Sequence, residues 1–436
     1  MMLDVLEGRL SEWDRALRSL IGRVGYLFSR PEPREIFADL VEGLLSDLEK
    51  KNGWTLAQRA GHSHPGRMQT FLCRGAWSAQ GLEAEVRRYV VEELGCPEAV
   101  LIVDDTQVVK KGKMSVGVAP QHCGATNQTE NCQVAVMLTY ASAAGHAFIG
   151  HRLYLPARWT DDPARCRAAG VPAEVAFATK PEQAVQLLGE AIEAEVPFGW
   201  VAMDGGYGQY ATVRHWCRDR SLPYVLAVPC SLALVDVVGP DRGGATRPDE
   251  LLAIVDERSW ERRSCGEGAK GQRFYDWASF AVRVKGEDPA SGFAHTLLIR
   301  RSISDPSEVA YFLVHAPQRT TVPAMVAVAG MRWKIEENNE QGKDLIGLDQ
   351  YQVRTWTAWH HYVTVAMFAH AFLVVRRARL VSAHSQEPTT DQARETDTAP
   401  GKDRPLMSTP APTVSAHAGS PRPPSPTSAI SSPPRS

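Results

Sequence analysis

Two apolar segments of the sequence end in acidic residues of the kind that line a sheet-edge site. LIVDDT, residues 101–106, contains Asp104 and Asp105, and AMDGGYGQ, residues 202–209, places Asp204 before a glycine-containing turn. In an α/β sheet, ligands reach the crevice at the C-terminal ends of the strands. An aspartate at a strand end is also an ordinary turn residue, so either segment alone is a weak signal of a site.

A third segment, RWKIEENNEQGK from Arg332 to Lys343, predicts a helix with several charges on one face. At about 100° per residue around the helix axis, counted from Arg332, Glu336 falls at about 40° and Lys343 at about 20°. Glu340 falls at about 80°, at the edge of this face, whereas Glu337 falls at about 140° and points away. Arg332, Glu336 and Lys343 are therefore predicted to share one face.

Two strand-end aspartates and one helical glutamate form a set of acids that suits divalent cations. Such ions take oxygen ligands, and two of them about 3.5–4 Å apart can activate water and stabilise a leaving oxygen in phosphoryl transfer. Adjacent side chains of a strand point to opposite faces, so Asp104 and Asp105 cannot both face the site. We choose Asp105, which adjoins Thr106, and keep Asp104 as the alternative. Basic residues on the helix would hold DNA phosphates.

Three lysines follow the first acids on a predicted loop: Lys110, Lys111 and Lys113. A contact with the DNA backbone and a solvated loop are equally good interpretations of them. We count them as candidate DNA-binding residues.

The pattern of apolar residues divides the chain into five regions. Residues 1–93 read as helices, 94–229 as strands alternating with helices, and 230–320 as a β-rich, irregular insertion. Helices resume in 321–381, whereas 382–436 is rich in Pro, Ser and Thr and is predicted to be disordered. Strands alternating with helices predict an α/β fold, here interrupted by the insertion and preceded by an all-helical region.

Composition limits the partners and the compartment. A formal net charge of −2 over 436 residues gives no global electrostatic signature of nucleic-acid binding, so DNA would be held by local basic patches. Eight dispersed cysteines without a CxxC pair predict reduced thiols in a cytoplasmic protein. The apolar segment 358–375 contains three histidines, which favours a buried core helix over a membrane span.

Four blocks taken in order carry a family resemblance: LIVDDTQVVKKGKMSVGVAPQHCG, NCQVAVMLTYA, AMDGGYG and RWKIEENNEQGKDLIGLDQYQVRTWTAWHHYVT. Over about residues 30–378 the chain resembles the DDE transposases of bacterial insertion sequences, in particular the transposase family of insertion sequence 701. Arg332, Glu336 and Lys343 fit the spacing of a Tyr-x2-Arg-x3-Glu-x6-Lys signature of related transposases, and Ala329 stands in the tyrosine place.

The resemblance implies a ribonuclease-H-like catalytic core with a β insertion ahead of the glutamate helix. It implies Asp105, Asp204 and Glu336 as an acid triad that holds two Mg²⁺ ions, with Mn²⁺ as a substitute. The expected reaction is metal-dependent cleavage of DNA at the ends of the element and strand transfer into target DNA. We expect the helical N-terminal region and the insertion to bind the terminal inverted repeats, with a homodimer pairing the two ends.

Two other interpretations were compared with this one. An aspartyl-phosphate phosphatase would need a second Asp two residues after the first, and Thr106 or Gln107 stands there instead. A transposase-derived DNA-binding protein without catalytic activity stays open as the alternative. Acid-to-amide substitution separates it from a nuclease, because only the nuclease would lose function.

Overall fold

The computed structural model describes residues 2–124, 126–237, 247–268 and 271–386. The region predicted to be disordered, 382–436, lies outside the described residues from Glu387 onwards. Residues 382–386, the first of that region, belong to the last helix, which ends at Gln386.

Helices make up the first part of the chain: α1 (Met2–Arg23), α2 (Pro31–Leu44), α3 (Gly53–Arg59), α4 (Gly66–Arg74) and α5 (Ala79–Leu94). Strands follow: β1 (Val100–Val109), β2 (Ala119–Cys123), β3 (Gln128–Ala141) and β4 (His146–Leu153). Helices and strands then alternate: α6 (Ala157–Thr160), α7 (Pro163–Ala168), α8 (Lys180–Glu193), β5 (Trp200–Met203), α9 (Gly205–Gly208), α10 (Ala211–Asp219) and β6 (Tyr224–Val228).

The remaining elements begin with the β-rich region: β7 (Leu234–Val237), α11 (Pro248–Ala253), β8 (Glu261–Gly268), β9 (Gly271–Val284), β10 (Phe293–Arg301) and β11 (Val309–Pro317). The chain then returns to helices: α12 (Val322–Met331), α13 (Trp333–Ile346) and α14 (Trp356–Gln386). The predicted mixed α/β fold class is confirmed by these elements.

One eleven-stranded sheet connects the two β-containing regions. Its main path runs β2-β3-β1-β5-β6-β11-β10-β9-β7, with β4 beside β3 and β8 beside β9. β1, β5 and β6 are mutually parallel, whereas β11 pairs antiparallel with β6 from Tyr311↔Val228 to His315↔Tyr224. The strands of the predicted insertion therefore extend the same sheet.

The long helix α14 lies in the core between the N-terminal helices and the sheet. Phe368 packs edge-on against Phe37 of α2 with ring centroids 5.2 Å apart, and His361 stacks on Trp77 at 3.8 Å. The segment Trp356–Ala383 is long and apolar enough to cross a membrane, but 83% of its most apolar window is buried inside the protein. The prediction of a buried core helix agrees with this packing.

The described residues up to Gln386 form one compact unit. Helices α4 and α5 contact α14, and α12 contacts β5, β6 and β8. The boundaries at residues 93, 229 and 320 stay predictions, because the helices and strands on either side of them pack together.

Candidate functional site

Asp104 and Asp204 lie side by side where the parallel pairing of β1 with β5 ends. The last paired residues are Val103 and Met203, and each aspartate comes one residue later, Asp104 within β1 and Asp204 directly after β5. Side chains at equivalent positions of parallel strands point to the same face of the sheet. The two carboxylates therefore leave the sheet edge on the same side.

The face of the sheet that carries Asp104 is the one covered by α13. Asn338 of α13 donates a hydrogen bond of 2.9 Å to the hydroxyl of Thr139 in β3. Thr139 pairs with Ile102, two residues before Asp104, so Ile102 and Asp104 point towards α13. The Glu336 helix and the Asp104–Asp204 pair thus share one face.

Asp105 points to the opposite face and is bound within the protein there. Lys180, the first residue of α8, places its Nζ 2.7 Å from Asp105 Oδ2, and the Gln107 amide donates a hydrogen bond to Oδ1. The Asp105 side chain keeps 13% of its surface exposed. The structure therefore places the preferred sequence candidate against a cation of α8, and the alternative candidate beside Asp204.

The aspartate pair is electrostatically crowded. Burial, followed by the charges of Asp204 and Asp105, raises the pKa of Asp104 well above its ordinary value. Burial also raises the pKa of Asp204, with Arg332 acting to lower it and Asp105 adding to the rise. Two carboxylates that resist ionisation at one edge of a sheet form a place where added positive charge is favourable.

Backbone contacts fix the position of Asp204. It is the N-cap of α9, and its carboxylate accepts a hydrogen bond of 2.9 Å from the Gly206 amide. Tyr207, the residue after Gly206, is buried, and this burial raises the pKa of its hydroxyl well above the ordinary value. The charges of Asp104, Asp105 and Asp204 add to the rise. The carboxylate of Asp204 is thereby held at the strand end.

Arg332 and Glu336 are adjacent, as the helical spacing predicted. Arg332 lies between α12 and α13, and its guanidinium donates to Glu336 Oε1 at 2.8 Å. The charge of Arg332 also acts on both Asp104 and Asp204. Glu336 keeps 35% of its side chain exposed. One arginine thus connects the glutamate of α13 electrostatically with the strand-end pair.

The approach of α12 to β8 positions Arg332. A Cβ built on Gly330 would lie 1.8 Å from the carbonyl oxygen of Cys265 in β8, so only glycine fits there. The Gly330 carbonyl also accepts a hydrogen bond of 3.2 Å from Arg273 of β9. The end of α12, two residues before Arg332, is therefore held directly against the extended sheet.

Glu337, the next residue of α13, contacts a histidine and a lysine and not Arg332. Its carboxylate lies 3.1 Å from His146 Nε2 and 2.9 Å from Lys334 Nζ. Burial acts to raise the pKa of Glu337, but the hydrogen bonds from His146 and Lys334 lower it to about 2. The neighbouring Asn338 is fully buried and lies 2.6 Å from His146 Nδ1. These contacts fix the rotation of α13 about its axis, and Glu336 lies about 100° around the helix from Glu337.

The family model for DDE superfamily endonuclease matches residues 25–278 of the chain, which is more than half of its length. The chain belongs to this family. The matched region contains Asp104, Asp105 and Asp204 and ends before Glu336. The resemblance seen in the sequence motifs is confirmed.

A curated relative supports the same assignment. The chain is 27% identical over 184 residues to a protein from Microchaete diplosiphon named "Probable transposase for insertion sequence element IS701". The alignment covers 42% of this chain and 45% of the relative, so the chain spans less than half the length of that protein in the match.

Nucleases of the DDE superfamily generally use divalent ions, which makes the acids of this site candidate metal ligands. Among the residues that the structure describes, no group of three or more His, Cys, Asp or Glu side chains is close enough together to hold an ion. The Asp104–Asp204 pair supplies the oxygen donors that Mg²⁺ prefers. Burial is the main cause of the raised pKa values of this pair, and the charge of a neighbouring aspartate adds to each rise. The pair suits a divalent ion in donor chemistry, but within the described residues no third ligand of these types, Glu336 included, forms a cluster with it.

The candidate DNA-binding residues of the endonuclease differ in their surroundings. Lys110 donates 2.8 Å to the Tyr351 carbonyl and lies over the Tyr351 ring, and burial lowers its pKa to about 8. Lys111 and Lys113 are exposed on the loop after β1, and Lys343 is half-buried on α13. Lys110 is thus engaged inside the protein, whereas Lys111 and Lys113 are open to a ligand.

Several residues of the site were not found from the sequence. Lys180 lies 75 positions after Asp105, so no local spacing connects the two. His146 and Asn338, which orient α13, are separated by 192 positions. Thr179 and Glu182 form an ordinary capping box at the start of α8, and a lysine inside that box gives no signal of an active-site contact.

Proposed function

We propose that this endonuclease is a transposase that cuts DNA at the ends of an insertion sequence and joins the freed end to target DNA, with Asp104, Asp204 and Glu336 as its catalytic carboxylates. The observation that carries the proposal is the position of Asp104, which lies beside Asp204 on the sheet face covered by the Glu336 helix. Asp104 replaces the sequence preference for Asp105 in this proposal, because Asp105 points away towards Lys180.

The three carboxylates would hold two Mg²⁺ ions, with Mn²⁺ able to substitute. When bound, such ions supply an activated water and stabilise the leaving oxygen of a phosphodiester. Asp204 is oriented for this task by the Gly206 amide, and Asp104 by its place next to it on β1. Asp105 is a positioning residue in this scheme, since its ion pair with Lys180 anchors the end of β1 to α8.

Basic side chains around the acids would bind the DNA backbone. Arg332 donates to Glu336 and its charge acts on both aspartates, so a phosphate brought to this site would meet its guanidinium. Lys343, Lys111 and Lys113 are the further candidates, and Lys110 is left out because its ammonium is bound to Tyr351. Local cations of this kind compensate for the near-neutral charge of the chain.

The larger arrangement follows the family resemblance. The parallel strands β1, β5 and β6 with the antiparallel β3 and β4 support a ribonuclease-H-like core. The N-terminal helices and the β-rich region would bind the terminal inverted repeats, and a homodimer would pair the two ends in the bacterial cytoplasm. The division into residues 1–93, 94–229, 230–320, 321–381 and 382–436 is part of this proposal.

Cleavage of a plasmid that carries the gene's own flanking DNA tests the function. Wild type and Glu336→Gln are compared with and without Mg²⁺. We expect metal-dependent cuts at the flanks with wild type and at least about a 10²-fold lower rate with Glu336→Gln. A folded wild type that binds the flanks without cutting them would instead identify an inactive, transposase-derived DNA-binding protein.

A further inference from the structure

Helices α2, α3 and α4 form a compact three-helix arrangement with a sharp turn between the last two. α3 ends in a glycine motif, in which Gly61 has φ +76° and the His62 amide donates 2.9 Å to the Ala57 carbonyl. The His62 ring then lies 3.0 Å from Asp39 of α2, which holds the turn against that helix. This is the order of elements in a helix-turn-helix unit, where the second helix is presented to a ligand.

One face of α4 is buried and the other is open. Met68, Phe71 and Leu72 are buried in the core. The opposite face exposes small or polar side chains, namely Arg67, Gln69, Thr70, Cys73 and Arg74. Small residues at the centre of an exposed helical face allow a close approach to a partner surface, and Gln and Arg are side chains that form paired hydrogen bonds with base edges.

Two hollows flank this exposed face, so that α4 stands between them as a ridge. The first, of about 770 Å³, lies between α4 and the segment 27–36. The second, of about 290 Å³, lies between α4 and the loop before α14 that includes Gln352 and Arg354. A helix that enters the major groove must project in this way, with room on either side for the two DNA backbones.

The surface around the ridge favours an anionic ligand. Arg30, Arg67 and Arg74 border the first hollow, together with the acid Glu32. Glu35 of α2 lies 3.9 Å from Arg67, but both side chains are about half exposed or more, and such a surface pair contributes little. The local charge is therefore positive on a chain whose total charge is slightly negative.

From this geometry we infer that α4 is a recognition helix that reads duplex DNA in the major groove. The inference rests on the proposed function for the identity of its ligand, the DNA that flanks the gene. Gln69 and Thr70 contact base edges, whereas Arg67 and Arg74, which both border the first hollow, contact phosphates of the DNA backbone on that side. Sequence selection thus resides in α4, and the acids at the sheet edge take no part in it.

Binding measurements on the full-length chain test this assignment. Fluorescence anisotropy in EDTA, where no metal-dependent cutting occurs, compares a duplex of the gene's flanking DNA with a scrambled duplex of equal composition. The paired change Gln69→Ala and Thr70→Ala should reduce the preference for the flanking duplex about 10-fold or more and leave binding to the scrambled duplex unchanged. The paired change Arg67→Ala and Arg74→Ala should weaken binding to both duplexes and reduce the salt dependence.

Exposed arginines outside the N-terminal helices and the β-rich region supply the matched control. Arg158→Ala with Arg220→Ala removes the same charge from another surface and should leave both affinities unchanged. All variants must keep the wild-type melting temperature. A folded Gln69→Ala, Thr70→Ala variant that still prefers the flanking duplex overturns the inference, and so does a wild type without any preference. If wild type binds selectively through α4 but never cuts, the proposed function fails while this inference stands.

Discussion

The Lys180 ammonium lies 2.7 Å from a carboxylate oxygen of Asp105, on the sheet face opposite to the one that Asp104 shares with α13. Two consecutive acids of one strand are thereby given different roles. One is neutralised by a partner within the protein, and the other faces a second acid, Asp204, whose proximity helps to raise its pKa.

Exchange of each acid for its amide separates these roles. Asp104→Asn should lower the rate of flank cleavage by about 10²-fold or more, because it removes a proposed metal ligand. Asp105→Asn should retain most of the activity, since it loses an ion pair that only positions the strand. Single-turnover cleavage at saturating protein measures both rates.

Lys180→Met provides the control for this comparison. It breaks the same ion pair from the other side, so its effect should match that of Asp105→Asn in size and direction. A different outcome would contradict this assignment: a folded Asp105→Asn protein that no longer cleaves, while Lys180→Met still does. Asp105 would then be the catalytic acid.

Stability should depend on pH through the aspartate pair. A carboxyl whose pKa is raised on folding binds its proton more tightly in the native state, so native stability falls as pH rises from the ordinary aspartate pKa through the raised value. Asp104→Asn removes this loss and should raise the melting temperature at neutral pH. The difference should shrink as pH falls towards the ordinary aspartate pKa of about 3.9, since below that pH the carboxyl is protonated in both states. Thermal melts in EDTA across this pH range provide the test, and an Asp104→Asn protein that melts lower than wild type at neutral pH would contradict it.

Divalent metal should stabilise the protein through the same two residues. An ion that binds only the native state adds about 2.7 kcal/mol when its concentration is about a hundred times its Kd. We expect Mg²⁺ to raise the melting temperature of wild type and to have no such effect on Asp204→Asn. Asp14→Asn, at an exposed position of α1, is the control and should respond to Mg²⁺ like wild type. An equal Mg²⁺ response in all three proteins would place the ion elsewhere.

Asn338 should be essential for the seating of α13. Its fully buried amide bonds to Thr139 and lies beside His146, so Asn338→Leu leaves both partners without it. An unsatisfied buried group costs about 1–3 kcal/mol, and we expect the free energy of unfolding in urea to fall by about 2–4 kcal/mol. Thr139→Val removes one of the same bonds, so the double variant should lose less than the sum of the two single losses. Strict additivity would show that the two residues act independently.

Gly330 tests the connection between α12 and the arginine that follows it. Gly330→Ala places a Cβ 1.8 Å from the Cys265 carbonyl, and the helix must shift away. We expect a destabilisation of about 1–3 kcal/mol and slower cleavage, because Arg332 moves with the helix end. Gly22→Ala is the matched control, since a Cβ at this exposed position of α1 meets nothing within 4 Å. Urea unfolding and cleavage rates of the two variants decide the matter, and a Gly330→Ala protein that behaves like Gly22→Ala would refute it.

Local patterns in the sequence were sufficient for much of the fold. Apolar runs that end in acids predicted β1 and β5, and the helical spacing of Arg332 and Glu336 predicted their contact. The joining of the β-rich region to the main sheet was not predictable in this way. It depends on the pairing of Tyr311 with Val228, which are far apart in the chain, and strand alternation does not specify which edge a strand joins.

The site was predictable to the level of candidate acids and no further. Strand alternation shows that Asp104 and Asp105 point to opposite faces, but the choice requires knowing which face α13 covers. That is fixed by Asn338 and Thr139, whose contact spans 199 positions of sequence. The same limit applies to Lys110. Its place after β1 predicts a loop lysine, but its contact with the ring of Tyr351 has no local signal in the sequence.

The pairing of β11 with β6 means that the β-rich region cannot be shortened freely. Without β7–β11, the backbone amides and carbonyls of the apolar strand Tyr224–Val228 would lose their partners along one side. Such a bare strand is a template for intermolecular pairing. Truncated forms of the protein should therefore precipitate as ordered aggregates, and the region protects solubility whatever it contributes to DNA binding.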